Sequence, residues 1–149
     1  MDQSDIVVAP EHSYTSPNGP LTEEMQNEYV LELLEASRFS KALVIPGTCL
    51  WREEATERNT CYAFYRGNEL HRHHKGRFSE FHPITTFEFL GMKVGIEICI
   101  EAGRLAIQGE KDLDFHVLTS YWMHQQQNIN ALKVGGYGLV VDGEGPAYT

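Results

Sequence analysis

The 149-residue chain lacks a basic surface, with 12 Lys and Arg against 21 Asp and Glu and a formal charge of -9. A phosphate-binding face needs clustered Lys and Arg, so no nucleic-acid partner is expected. Its densest basic stretch, "HRHHKGR" (71–77), owes three of its six basic residues to histidine, largely neutral near pH 7. The sequence also lacks any apolar run long enough to span a bilayer, so no membrane partner is expected. Its start, "MDQSDIVVAP", has neither the basic nor the long apolar region of a secretory signal. The cysteines are three, an odd number without framework spacing, which predicts reduced thiols in a cytoplasmic setting. Repeats and low-complexity tracts are absent too. What remains is an ordinary globular composition, 42% hydrophobic and 22% charged, at a length expected to form one domain over residues 1–149.

The apolar pattern supplies the elements. "DIVVAPE" (5–11) is a β-branched run closed by proline, and "KALVIPGT" (41–48) repeats the pattern and closes on Pro-Gly. Between them, Thr22 can cap a helix opening on Glu23 and Glu24 and fading near Ser37, with Met25, Tyr29, Val30, Leu33 and Leu34 as one stripe. Strand, helix, strand with buried strands predicts a crossover unit. Two hairpins follow: "TCYAFY" with "ELHRH" around Gly67-Asn68, and "TTFEFL" with "KVGIEIC" around "GM". Further strands are expected over 114–120 and 137–143, short helices near 102–109 and 124–132, and loops over 12–20, 51–59 and 121–128.

"GIEICIEAG" (95–103) raises the chemical question, because Glu97 precedes Cys99 and Glu101 follows it. A cysteine in an apolar strand is most often a small core hydrophobe. A cysteine nucleophile needs a base or cation to hold the thiolate, a donor for the oxyanion, and access. The chain puts candidates at strand ends: Glu11 after Pro10, Lys75 after "ELHRHH", and Cys99 after "KVGIEI". Cys49 and Cys61 lack such a setting and read as structural thiols. Glu97 reads as a strand residue in polar surroundings or a pocket wall. His71 and His73 share a strand face and could supply two metal ligands, but no third is evident, so no metal or other cofactor is expected. "GGYG" lacks the strand-then-helix setting of a nucleotide site.

On these motifs the sequence resembles the nitrilase, or carbon–nitrogen hydrolase, superfamily. The matching features are a strand ending in Pro-Glu ("DIVVAPE"), a second running into Pro-Gly-Thr with Trp soon after ("LVIPGTCLW"), and a lysine after a hairpin ("YRGNELHRHHK"). A cysteine ending a Gly-containing strand, with an acid two residues on ("VGIEICIE"), completes the order Glu, Lys, Cys. The resemblance runs from about residue 5 to about residue 143. It implies an α/β fold, a four-layer αββα sandwich of two mixed sheets, shortened at both ends relative to family members.

The resemblance also implies roles. Glu11 would be the general base, Lys75 the cation beside the tetrahedral intermediate and Cys99 the nucleophile. Glu80 in "RFSEFHP" would help position groups in the pocket, and the backbone N–H of Ile100 would share the oxyanion with Lys75. Tyr121 and Trp122 could line the substrate site, though aromatics there are as often core. The implied activity is hydrolysis of a non-peptide carbon–nitrogen bond in a small amide, in preference to a nitrile, through a cysteine thioester. The alternative is an inactive domain of the same fold serving binding or assembly. Family relatives commonly pair through helices, so a homodimer or higher homo-oligomer is expected, with "GRLAIQG" (103–109) and the tail beyond Tyr137 as candidate partner faces.

Overall fold

The computed structural model of the chain describes residues 5–76, 83–121 and 130–143. The chain resolves into two compact units, Met1–His74 and Lys75–Thr149. Each is built on one mixed β-sheet.

The first sheet contains β1 (Ile6–Val8), β2 (Leu43–Ile45), β3 (Thr48–Glu53), β4 (Thr56–Tyr65) and β5 (Asn68–His74). Its order is β1-β2-β4-β3, with β5 also pairing β4. β1 runs parallel to β2, Ile6 opposite Leu43, and the connection between them is helix α1 (Glu23–Ser37), so the predicted crossover unit is present. Thr22 caps α1 as expected, its Oγ1 accepting the Met25 N–H at 3.2 Å. The apolar stripe needs one correction. Met25 is half exposed, and Gln26 is buried in its place, its Nε2 hydrogen-bonded to the Tyr62 hydroxyl. A buried amide is tolerated because it meets a partner that would itself need one. Around this bond lie Leu21, Tyr29, Val30, Cys49, Trp51, Tyr62 and Phe64, the core of the unit.

The segment expected as a loop over 51–59 is instead a hairpin of β3 and β4, with Trp51 opposite Arg58. Trp51 is buried and donates its indole N–H to Thr60 Oγ1 at 2.8 Å, and Arg52–Glu57 and Arg58–Glu53 pair on the outside. The run 14–21 lies along β3: Leu21 N–H donates to Leu50 O and Arg52 N–H returns a bond to Leu21 O, both at 2.9 Å. The β4–β5 turn falls on Arg66-Gly67, one residue before the expected pair, with φ of 50° and 76°. Positive φ at both central positions is the turn that matches the strands' own twist.

The second sheet has the order β6-β7-β8-β9, from β6 (Thr86–Phe89), β7 (Met92–Ile98), β8 (Leu113–Tyr121) and β9 (Leu132–Gly143). β6 and β7 form the expected hairpin, but the turn is Leu90-Gly91, with φ of 50° and 78°. β7, β8 and β9 run parallel. The helix expected over 102–109 is reduced to α2 (Arg104–Ile107), preceded by a 3-10 turn over Cys99–Glu101. Leu105 of α2 closes on β7 where Gly95 leaves room: a Cβ there would stand 2.7 Å from Leu105 Cδ1 and from Leu113 Cδ1. Leu105, Leu113, Ile84 and Ala131 form an apolar cluster. Of the helix expected near 124–132, residues 124–129 lie outside the described residues, while Leu132 already belongs to β9.

The two candidate ligand histidines, His71 and His73, are buried in β5. Among the described residues no group of three or more His, Cys, Asp or Glu is placed to hold a metal ion. Burial, and then the neighbouring His73, lowers the His71 pKa to about 4. An unfolded chain takes up the His71 proton near pH 6.5, so the folded form loses stability as pH falls from about 6.5 to about 4. Urea unfolding at pH 7.5 and pH 5 is expected to differ by up to about 2 kcal/mol from this residue. His71→Gln should flatten that slope, and an unchanged slope in the variant would assign it to other groups.

Candidate active site

Glu11 follows β1 in the first unit. Gly47, at φ 79°, lets the β2–β3 bend touch the chain just before it, since a Cβ there would stand 2.0 Å from Pro10 O. Glu11 is 2% exposed. Its Oε1 accepts a hydrogen bond from Asn59 Nδ2 at 2.7 Å, and His12 Nε2 lies 3.6 Å away. His12 adopts φ 59°, with its N–H on Thr48 Oγ1 at 2.8 Å. Asn59 was not singled out in the sequence. The unread signal is the hairpin itself, which brings a β4 side chain back to the end of β1.

Lys75 and Cys99 belong to the second unit. Lys75 follows β5 and is partly buried, and Gly76 beside it is buried. Cys99 opens the 3-10 turn at the end of β7, is 8% exposed, and has φ 51°. Non-glycine residues adopt this left-handed conformation at a cost of about 1–2 kcal/mol, and do so where the surroundings impose it.

Two carboxylates bond to the main chain on either side of Cys99. Glu101 is fully buried; its Oε2 accepts the Ile98 N–H at 3.0 Å and its Oε1 accepts the Gly76 N–H at 2.7 Å. One side chain thus ties the loop that carries Lys75 to the turn that carries Cys99. Arg104 Nη1 stands 3.7 Å from the same Oε1. Glu97, a strand residue of β7 in polar surroundings as expected, is also fully buried. Its Oε1 accepts the Leu105 N–H at 2.6 Å, and its Oε2 accepts the Gly103 N–H at 2.8 Å and meets His116 Nε2 at 2.9 Å. The acids around Cys99 therefore face the main chain of the turn.

The remaining candidates divide. Ile100 is 37% exposed within the turn. Tyr121 ends β8 and is 39% exposed; β8 reaches the turn because Thr119 pairs with Ile98. Glu80 and Trp122 lie outside the described residues. Like Cys99, Cys49 and Cys61 are buried and form no disulfide, and burial pushes Cys49 up to about 12.

No family model and no curated protein matches this sequence. Solved structures do match its fold. An amidase of the nitrilase superfamily from Nesterenkonia AN1, solved as a cysteine-to-alanine mutant, superposes with a TM-score of 0.70 at 10% identity over 96% of this chain and 66% of its own. A CN-hydrolase superfamily protein from Xanthomonas campestris, with an arsenic adduct in its active site, gives 0.60 at 17% identity over 80% of this chain and 53% of its own. The glutamine-dependent NAD+ synthetase of Acinetobacter baumannii gives 0.58 at 18% identity over 81% of this chain and 26% of its own. The chain therefore has the α/β fold of the nitrilase superfamily, with two mixed sheets, and it spans between about a quarter and two thirds of the length of these structures.

The Glu101 bonds generate a stability prediction. Glu101→Ala strands two buried N–H groups, at about 1–3 kcal/mol each. Urea unfolding should show a loss of about 3 kcal/mol or more, with faster amide exchange at Ile98 and Gly76. Wild-type protection of both amides in a folded variant would show that other groups hold the turn.

Proposed function

We propose that the chain is a carbon–nitrogen hydrolase domain acting on a small amide through Glu11, Lys75 and Cys99. The observation that carries this reading is Cys99 at φ 51°, on a turn laced by Glu97 and Glu101, with the Lys75 loop tied to the same turn by the Gly76–Glu101 bond. The fold supports it. So does a further Nesterenkonia amidase mutant, of TM-score 0.54 and 10% identity over 66% of this chain and 43% of its own. Its active-site cysteine carries the acetamide moiety of fluoroacetamide.

In the proposed mechanism the Glu11 carboxylate takes the Cys99 Sγ proton and the thiolate forms a bond to the carbonyl carbon. The Lys75 ammonium and the Ile100 N–H hold the oxyanion. The carbon–nitrogen bond breaks, ammonia or an amine leaves with the proton from Glu11, and a thioester remains. Glu11 then takes a proton from water, the hydroxide attacks the thioester, and the carboxylic acid departs as the thiol is restored. Glu80 would position groups in the pocket and Tyr121 would line it. The reaction needs no metal or organic cofactor. Among the described residues no helix is long and apolar enough to cross a membrane. A cytoplasmic location with reduced thiols belongs to the same proposal.

Hydrolysis of short aliphatic amides, followed as released ammonia, tests the reading. Cys99→Ala should abolish it, and Lys75→Ala should lower it about 100-fold or more by removing an oxyanion donor. Turnover close to wild type in either variant would sink the assignment, and an inactive wild type would favour the binding-module alternative. The proposal extends to assembly as at least a homodimer, with 103–109 and the segment beyond Tyr137 as partner faces. Ile107 is 76% and Val140 39% exposed, as such faces require. Light scattering at micromolar concentration should exceed the 16.9 kDa monomer mass, and a stable monomer would refute this extension.

A further inference from the structure

Glu97 and His116 form a second layer behind the Cys99 turn that the proposed chemistry does not use. Both side chains are fully buried, on neighbouring parallel strands, with His116 opposite Gly95 and Leu118 opposite Glu97. Three donors converge on one carboxylate: the N–H groups of Gly103 and Leu105, and His116 Nε2. Gly103, at φ 92°, sits between the 3-10 turn and α2, so its N–H can point back toward β7. The other ring nitrogen, His116 Nδ1, is buried with no hydrogen-bond partner. Removing Glu97 would strand two buried main-chain N–H groups, and removing His116 would take away the one side-chain partner of the carboxylate.

Building on the reading of Cys99 as a nucleophile, we infer that the Glu97–His116 pair is a positioning device. It fixes the backbone of residues 99–105, and with it the direction of the Cys99 thiol and the Ile100 N–H. The two acids divide the work. Glu101 secures the incoming side of the turn, at Ile98 and Gly76; Glu97 secures the outgoing side, at Gly103 and Leu105. His116 orients the Glu97 carboxylate from the neighbouring strand. A main-chain shift of about 1 Å at a reacting centre can cost on the order of 100-fold in rate, so such a pair acts on chemistry through geometry.

The test uses the full chain and iodoacetamide, with labelling of Cys99 read by peptide mass spectrometry and Cys49 as internal reference. Rates are taken per folded molecule, well below each variant's unfolding temperature. Glu97→Gln places an amide N–H₂ against main-chain donors, and His116→Leu removes the orienting ring. Each is expected to slow Cys99 labelling by about 10- to 100-fold with Cys49 unchanged. His116→Gln, which keeps a donor near the place of Nε2, is expected to stay within about threefold of wild type. Wild-type labelling rates in folded Glu97→Gln and His116→Leu overturn the inference while leaving the nucleophile intact. Loss of fold in all three variants marks the pair as structural support alone and also overturns it. A wild-type Cys99 that reacts no faster than Cys49 removes the nucleophile reading itself, a result distinct from either.

Discussion

A left-handed residue at the end of a strand must be held there, and around Cys99 the holding groups are buried carboxylates. The backbone at φ 51° ends the β7 ladder, and the main-chain N–H groups of Gly76, Ile98, Gly103 and Leu105 are met by carboxylates. An unpaired buried N–H is costly. Glu97 and Glu101 avoid that cost, since each carboxylate offers several acceptor sites to these donors. The spacing follows from this. Two residues before the cysteine, a strand residue faces the following helix; two residues after it, a turn residue can reach back to the strand. The parallel strand β8 and the short α2 are arranged around the same two side chains.

Much of the architecture is legible in the residues because local signals and tertiary demands agree. Thr22 with Glu23 and Glu24 marks the start of α1 to the residue, and Pro10 and Pro46-Gly47 mark where two short strands stop, although β1 is only partly buried, with Val7 exposed. The signals fail where a polar side chain is buried by pairing. Gln26 replaces Met25 in the helix stripe because Tyr62 awaits it from β4, 36 residues downstream and invisible to any local period. The β3–β4 hairpin is hidden by its charges: Arg52, Glu53, Glu57 and Arg58 read as a loop, yet they pair across the strands. Both tight turns fall one residue earlier than expected. The left-handed pair needs glycine at its second position, and Arg66 and Leu90 accept the first.

At the candidate site the split is similar. Glu11, Lys75 and Cys99 are readable as strand-end residues, each announced by a proline, glycine or apolar run. Their supports are not. Asn59 reaches Glu11 only because β4 folds back, and His116 reaches Glu97 only because two parallel strands place residues nineteen apart on one face. Sequence comparison meets the same limit from another direction. The solved structures that share the fold agree with this chain at 10–18% of positions, since a sheet asks for a pattern of burial and leaves residue identity open.

The strained backbone at Cys99 also sets a direction for drift. Glycine adopts φ 51° freely, so Cys99→Gly would relieve about 1 kcal/mol of backbone strain while removing one small buried sulfur. Any lineage released from the need for a thiol would find that exchange close to neutral or favourable, because Glu97 and Glu101 hold main-chain atoms that glycine shares. A cysteine retained at this position in diverging descendants would therefore record selection on its sulfur, whereas glycine in its place would date the loss of that selection while the surrounding acids persisted as relics.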